Sequence, residues 1–299
     1  MNLQNQLDES ALFSRRDSFR RIFFYRLCGA GMAPAAILLK EWGAHVEGSD
    51  LRFDPPLGPL LKDARIPCHF NEAITVEQLR SFDLIVVGNV VAKTSDEARM
   101  IENLGVPFCS FPAIFGGLLL KERNVVGICG THGKSTTTYF AVQLFEALGE
   151  KPGYFIGGAM EDRPPSRLGD EKYFFIEGDE YDSAYFHKVS KFRSYYLNSM
   201  ILTSLEFDHG DLFSSLEEIK DQFRPSIEKL DDVLIGCQDY ETVCELAREK
   251  VTTRTSSKNC NKGKVTVLHP DKIGRRQRGA TEACFLHVAG KRRGSRLPR

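Results

Sequence analysis

The 299-residue sequence predicts an α/β protein made of two successive parallel-sheet units. Two observations carry that prediction. From residue 22 onward, short apolar runs alternate with helix-like stretches, and several of the runs end in a glycine-containing turn that opens a helix. The runs are also continuous rather than alternating, as strands covered on both faces by crossover helices must be.

In the first unit, IFFYRL (22–27) reads as a strand running into the turn CGAGM, and APAAILLKEW (33–42) as the helix that leaves it. HVEGSD (45–50) is a second strand with an acid at its end, and DLIVVGN (83–89) a buried parallel strand. Gly29 and Gly31 supply a tight turn and close backbone approach, and Asp50 follows at about the spacing from which an acid reaches a ribose hydroxyl. The third glycine of the dinucleotide fingerprint is replaced by Pro34, so the turn by itself suits a ligand or a purely structural role.

A second unit begins near Glu122. NVVGICG (124–130) is its first strand, and KSTTTYFAVQLFEALG (134–149) a helix with Phe140, Leu144, Phe145 and Leu148 expected on one side and Gly149 as its stop. YFFIEG (173–178) and SMILT (199–203) are further buried strands. Prolines and glycines concentrate in PFCSFPAIFGG (107–117), where the boundary is expected. The expected organisation is therefore a polar N-terminal extension (1–21), a Rossmann-like sheet domain (22–112) and a P-loop ATPase-type α/β domain (113–299).

Composition narrows the function class. With 42% hydrophobic and 27% charged residues, the chain is that of an ordinary soluble globular protein. No apolar run approaches the roughly 20 residues of a membrane span, and the N-terminus lacks a secretory pattern, so a cytoplasmic protein is expected. Eight cysteines form no C-x-x-C pair, which favours reduced thiols. The last 50 residues hold 14 basic against 2 acidic side chains, yet Phe285 is their single aromatic, so a solvated end is favoured over a nucleic-acid arm.

Three stretches carry chemistry. GICGTHGKSTTTYF (127–140) joins a strand to a helix: Gly130 and Gly133 let the backbone wrap a phosphate, Lys134 supplies a point charge, and the Ser135 hydroxyl suits Mg2+. It falls short of G-x-x-x-x-G-K-[ST], because Ile128 stands where the first glycine belongs. EGDEYDSAYF (177–186) crowds four carboxylates at a strand end, an arrangement that needs a nearby cation, and Glu177 is placed as a metal ligand or a polariser of metal-bound water. LEFDHGDLF (205–213) sets His209 between Asp208 and Asp211, which orient the ring toward a metal or phosphoryl group.

Together, GTHGKSTT, EGDEYD and LEFDHGD resemble the Mur ligase family of ATP-dependent amide-forming enzymes, whose shortened phosphate loop, G-T-x-G-K-[ST]-[ST], accounts for Ile128. With HKVSKF (187–192) included, the pattern is most similar to the recycling branch that joins L-alanyl-γ-D-glutamyl-meso-diaminopimelate to UDP-N-acetylmuramate. The similarity spans roughly residues 27 to 225. It implies ATP and Mg2+ as cofactors, with Gly130, Thr131, His132, Gly133, Lys134, Ser135 and Thr136 on the ATP phosphates. Ser135, Glu177 and His209 are implied as the metal-linked set, with Lys134, Glu177 and His209 catalytic. Gly29, Gly31, Asp50 and Asn89 are implied to face UDP-N-acetylmuramate, and a murein tripeptide is the implied second partner. In such a mechanism the sugar's carboxylate attacks the γ-phosphate, and the tripeptide amine displaces the resulting acyl phosphate.

The pattern departs from the family in four places. Arg26 stands where the turn opens with a glycine, which is expected to hinder close approach of a pyrophosphate; His187 replaces an acid; the adenine-holding G-x-H-N-x-x-N helix is not found; and residues 250–278 resemble nothing in the family. The expectation is a ligase lacking the end of its central domain and its third domain, one that binds nucleotide weakly and does not complete amide synthesis. The alternatives are a UDP-N-acetylmuramate–L-alanine ligase and a nucleotide-sugar-binding fragment without catalysis. An unrelated P-loop kinase is disfavoured by the short loop.

Overall fold

The computed structural model describes residues 1–157, 160, 162–170, 172–207, 213–255 and 264–268. The basic end beyond residue 268, and Asp208, His209 and Asp211, lie outside the described residues. The chain divides into two compact units, Met1–Ile128 with Lys134–Leu197, and Cys129–Gly133 with Asn198–Arg299.

The first unit opens with α1 (Glu9–Ser14), capped by the Asp8 carboxylate accepting the Ala11 N–H, with Leu12 buried beneath it. Then follow β1 (Arg21–Tyr25), α2 (Met32–Glu41), β2 (His45–Asp50), α3 (Leu57–Asp63), β3 (Cys68–Phe70), α4 (Val76–Arg80), β4 (Leu84–Val87), α5 (Asp96–Glu102) and β5 (Phe108–Ser110). The five strands form one parallel sheet in the order β3-β2-β1-β4-β5. The order reverses beside β1, which opens a crevice at the carboxyl ends of β1, β2 and β4. Ile22, Phe24, Leu84, Ile85, Val86 and Phe108 are fully buried, as the continuous apolar runs require. The polar start of the chain is built into this sheet's edge: the Phe108 N–H donates to Asn5, and the Leu7 N–H donates to Phe108.

After β5 the chain forms α6 (Phe111–Ile114) and one π-helical segment, Phe115–Leu120. The glycines of this segment are there for contact. A Cβ on Gly116 would lie 1.8 Å from the Ser194 carbonyl oxygen, and one on Gly117 would lie 2.7 Å from the Leu12 Cβ. Phe115 stands in an aromatic cluster with Phe111, Phe155, Phe174 and Tyr195, at centroid distances of 5.1 to 6.4 Å.

The same unit continues with β6 (Asn124–Cys129, all but its last residue), α7 (Lys134–Ala147), β7 (Gly153–Phe155), β8 (Ser166–Arg167) and β9 (Tyr173–Gly178). The strands run β6-β9-β7-β8, with β7 parallel to β9 and β8 antiparallel at the edge, so the sheet is mixed. A hairpin of β10 (Asp182–Ala184) and β11 (His187–Ser190) follows. Along α7 the buried residues are Thr138, Ala141, Val142 and Phe145, at the spacing of one helical face. Phe140 is 60% and Leu148 46% exposed, which corrects the expected apolar side: of its four residues, Phe145 alone is fully buried.

In the second unit, β12 (Ser199–Leu202), α8 (Leu216–Lys229), β13 (Val233–Cys237), α9 (Glu241–Thr255) and β14 (Lys264–Leu268) make a parallel run β14-β13-β12. The α8 N-terminus is capped by the Ser215 hydroxyl. Ion pairs of Lys220 with Glu245 and of Arg224 with Glu249 join α8 to α9. All six cysteines among the described residues are free. No described helix is long and apolar enough to cross a membrane.

Candidate functional site

Two sites at strand ends take shape. The first lies in the crevice above β1, β2 and β4, a cleft of about 410 Å3 lined by Arg26, Cys28, Gly29, Asp50 and Asn89, with Leu51 and Val90 as exposed apolar residues on its rim. Asp50 is held by backbone: one carboxylate oxygen accepts the Cys28 N–H at 2.6 Å and the other the Leu51 N–H at 2.7 Å. That fixes the turn leaving β1 against the end of β2. Gly31 is set differently. A Cβ there would lie 3.0 Å from the Phe111 ring, so this glycine serves the packing of the α2 start rather than the cleft.

The second site forms at the start of α7. Lys134, its first residue, reaches Glu180 at 3.2 Å, and Glu180 is 5% exposed. Ser135 donates its hydroxyl to Glu177 at the end of β9, which also accepts the Gly157 N–H. Burial pushes both Glu177 and Glu180 above the usual carboxylate range, and Lys134 pulls each back toward it. Each has one buried oxygen, Oε1, without a hydrogen-bond partner among the described residues. Two hard anionic oxygens beside a hydroxyl are a donor set that fits Mg2+. The remaining acids of the stretch are answered by lysines, Asp179 by Lys191 and Asp182 by Lys188, both at 2.5 Å. The crowding of carboxylates is thus relieved largely from within the chain. Thr136 is exposed on the first turn of α7.

The loop between β6 and α7 belongs to the second unit, where it is fastened to the segment after β12. Gly130 has φ +125° and Gly133 φ +80°, left-handed conformations that favour glycine. A Cβ on Gly130 would also strike the Ser204 carbonyl oxygen at 2.4 Å. The Thr131 N–H donates to the Ser204 carbonyl, the His132 N–H to the Ser204 hydroxyl at 2.8 Å, and the Glu206 N–H to the Thr131 hydroxyl. His132 is 3.5 Å from the Glu206 carboxylate.

The structure therefore brings Lys134, Ser135 and Glu177 together, and places Gly29, Asp50 and Asn89 around one cleft. Sequence reading missed two contributors, Glu180 as the partner of Lys134 and Gly157, where a Cβ would sit 2.7 Å from the Glu177 Oε2. Glu180 was one acid among four, and nothing in the pattern singled it out. Gly157 lies 20 residues before Glu177 in the chain and meets it through the pairing of β7 with β9.

No family model matches the chain. Over 205 residues it is 37% identical to the UDP-N-acetylmuramate--L-alanyl-gamma-D-glutamyl-meso-2,6-diaminoheptandioate ligase of Escherichia coli (strain K12), covering 68% of this chain and 44% of that one. It is 31% identical over 240 residues to the UDP-N-acetylmuramate--L-alanine ligase of Borreliella afzelii (strain PKo), covering 78% of this chain and 50% of that one. The crystal structure of the murein peptide ligase of Neisseria meningitides superposes with a TM-score of 0.72 at 29% identity, over 84% of this chain and 78% of that one. The chain spans about half the length of the curated relatives it matches. This run of identity and the likeness of fold lead to one conclusion: the chain belongs to the Mur ligase family, close to its murein peptide ligases.

Proposed function

We propose that the chain carries the sugar-nucleotide and ATP sites of an ATP-dependent carbon–nitrogen ligase that joins a murein tripeptide to UDP-N-acetylmuramate. The observation that carries this reading is the group at the head of α7 in which half-buried Lys134, Ser135 and Glu177 meet buried Glu180. Each carboxylate keeps one oxygen, Oε1, out of water and without a partner among the described residues, an arrangement that costs stability unless a cation completes it. Mg2+ bound there would neutralise charge on the phosphates of ATP. Lys134 would meet the β- and γ-phosphate oxygens, and the α7 N-terminus would direct its N–H groups at the same anion. The cleft at Asp50 would hold the uridine and diphosphate of the sugar, presenting the sugar's carboxylate for phosphorylation by ATP. The tripeptide amine would attack the carbonyl carbon of the acyl phosphate so formed, making the amide bond and displacing phosphate.

The test is ADP release by the purified chain with ATP, Mg2+ and UDP-N-acetylmuramate, with tripeptide or L-alanine as acceptor. Release that requires both the sugar nucleotide and the tripeptide supports the reading, and release with L-alanine instead would move the chain to the alanine-adding branch. Separate calorimetric titrations show whether each site stands alone. Binding of UDP-N-acetylmuramate without any binding of ATP would overturn the ligase reading in favour of a sugar-nucleotide-binding protein.

A further inference from the structure

The turn leaving β1 contains a residue that its backbone does not welcome. Arg26 has φ +69°, in the left-handed region where a side chain is strained and glycine is the usual occupant. Its side chain is nonetheless mostly buried, 15% exposed, and stands in the wall of the cleft beside Cys28, Gly29, Asp50 and Asn89. Room for it comes from Gly88, where a Cβ would lie 3.1 Å from the Arg26 Cβ.

The guanidinium is anchored at one end and open at the other. One terminal nitrogen donates to Glu97 on α5 at 2.7 Å, and Glu97 is itself held by the Asn71 amide at 3.2 Å. The other terminal nitrogen is 3.7 Å from the Asp50 Oδ1, within ion-pair distance but beyond hydrogen-bond range. Nε is buried and has no acceptor among the described residues. A strained, tethered cation with unused donors in a cleft wall is arranged to receive an anion. Its planar fork matches phosphate oxygens, which a glycine in the same place could meet through backbone alone.

We infer that Arg26 binds the diphosphate of the sugar nucleotide, with Glu97 as the positioning residue that aims its guanidinium across the cleft. The inference rests on the reading of this cleft as the sugar-nucleotide site. It reverses the expectation that an arginine here hinders the approach of a pyrophosphate, because the chain keeps the left-handed backbone and adds a charge. Strain at a ligand site held in place by its surroundings is a recurrent device.

Calorimetric titration of the full chain with UDP and with uridine tests it, using wild type, Arg26→Gly and Arg26→Lys. Glycine suits the turn's backbone, so the variant keeps the local path of the chain. R26G is expected to weaken UDP binding by about tenfold to a hundredfold, the scale of a charged hydrogen bond, and to leave uridine binding unchanged. R26K, which keeps charge without the fork, is expected to fall between, and carries the test by itself should R26G not fold. UDP binding as tight in R26G as in wild type would overturn the inference, as would equal losses for UDP and uridine, which would place the contact on the nucleoside. A wild-type chain that binds neither ligand would instead overturn the reading of the cleft.

Discussion

The turn after β1 and the head of α7 are built on the same plan, a buried strand leading through glycines into a helix, yet they treat charge in opposite ways. In the first, Asp50 is satisfied by two backbone N–H groups and lines an open cleft. In the second, Glu180 is buried and Glu177 half-buried, both are raised above the ordinary carboxylate range, and each has one oxygen near Lys134 without a partner among the described residues. The first acid is complete without a ligand and helps hold the fold. The second pair is incomplete and is held in place by the fold, as expected where binding energy is to be gained from a cation and a polyphosphate.

The sharpest way to break that contrast is at Lys134. Lys134→Ala is expected to weaken ATP binding by more than about a hundredfold, since it removes a charged phosphate contact and leaves Glu180 buried without its cation. UDP binding should be untouched. Separate titrations of ATP and UDP check this, and a parallel loss of both would mean the two sites are not independent.

Asp50→Ala probes the other side. Two backbone donors lose their acceptor, so the melting temperature should fall by an amount equivalent to about 1–3 kcal/mol, with UDP binding weakened and ATP binding kept. If stability did not change, the description of Asp50 as part of the scaffold would be wrong.

The smallest effect on stability is expected at Glu177, with the opposite sign. Its folded pKa is raised by burial, so the cost of the charged form is fully present above the folded value and disappears below the unfolded one. Glu177→Gln should therefore melt higher than wild type by the equivalent of about 1 kcal/mol at neutral pH, with the difference vanishing as pH falls through the ordinary carboxylate range. Mg2+-dependent ATP binding should be lost in the same variant. Melting curves across pH, with and without Mg2+ and ATP, report both.

Much of the fold was legible because strand burial writes itself directly into the sequence. HVEGSD (45–50) and YFFIEG (173–178) form strands over the expected residues, and NVVGIC and SMIL each end one residue earlier than expected. The α7 face departs from its apolar pattern because Phe140 and Leu148 are left exposed, while the polar Thr138 is buried, with its hydroxyl donating to the Lys134 carbonyl. The π-helical segment Phe115–Leu120 had no clear pattern, since its glycines answer to Ser194 and Leu12, residues far away in the chain.

By itself, the sequence determined the alternation of strands and helices, the short glycine loop between β6 and α7 and the identity of Lys134, Ser135 and Glu177, because each depends on neighbours within a few residues or on a fixed local spacing. Tertiary structure alone decided that Glu180 is the carboxylate facing Lys134, that Gly157 makes room for Glu177, and that Gly31 serves Phe111 while Arg26 enters the cleft. Those pairings join residues brought together by strand order and helix packing, and no local spacing encodes them.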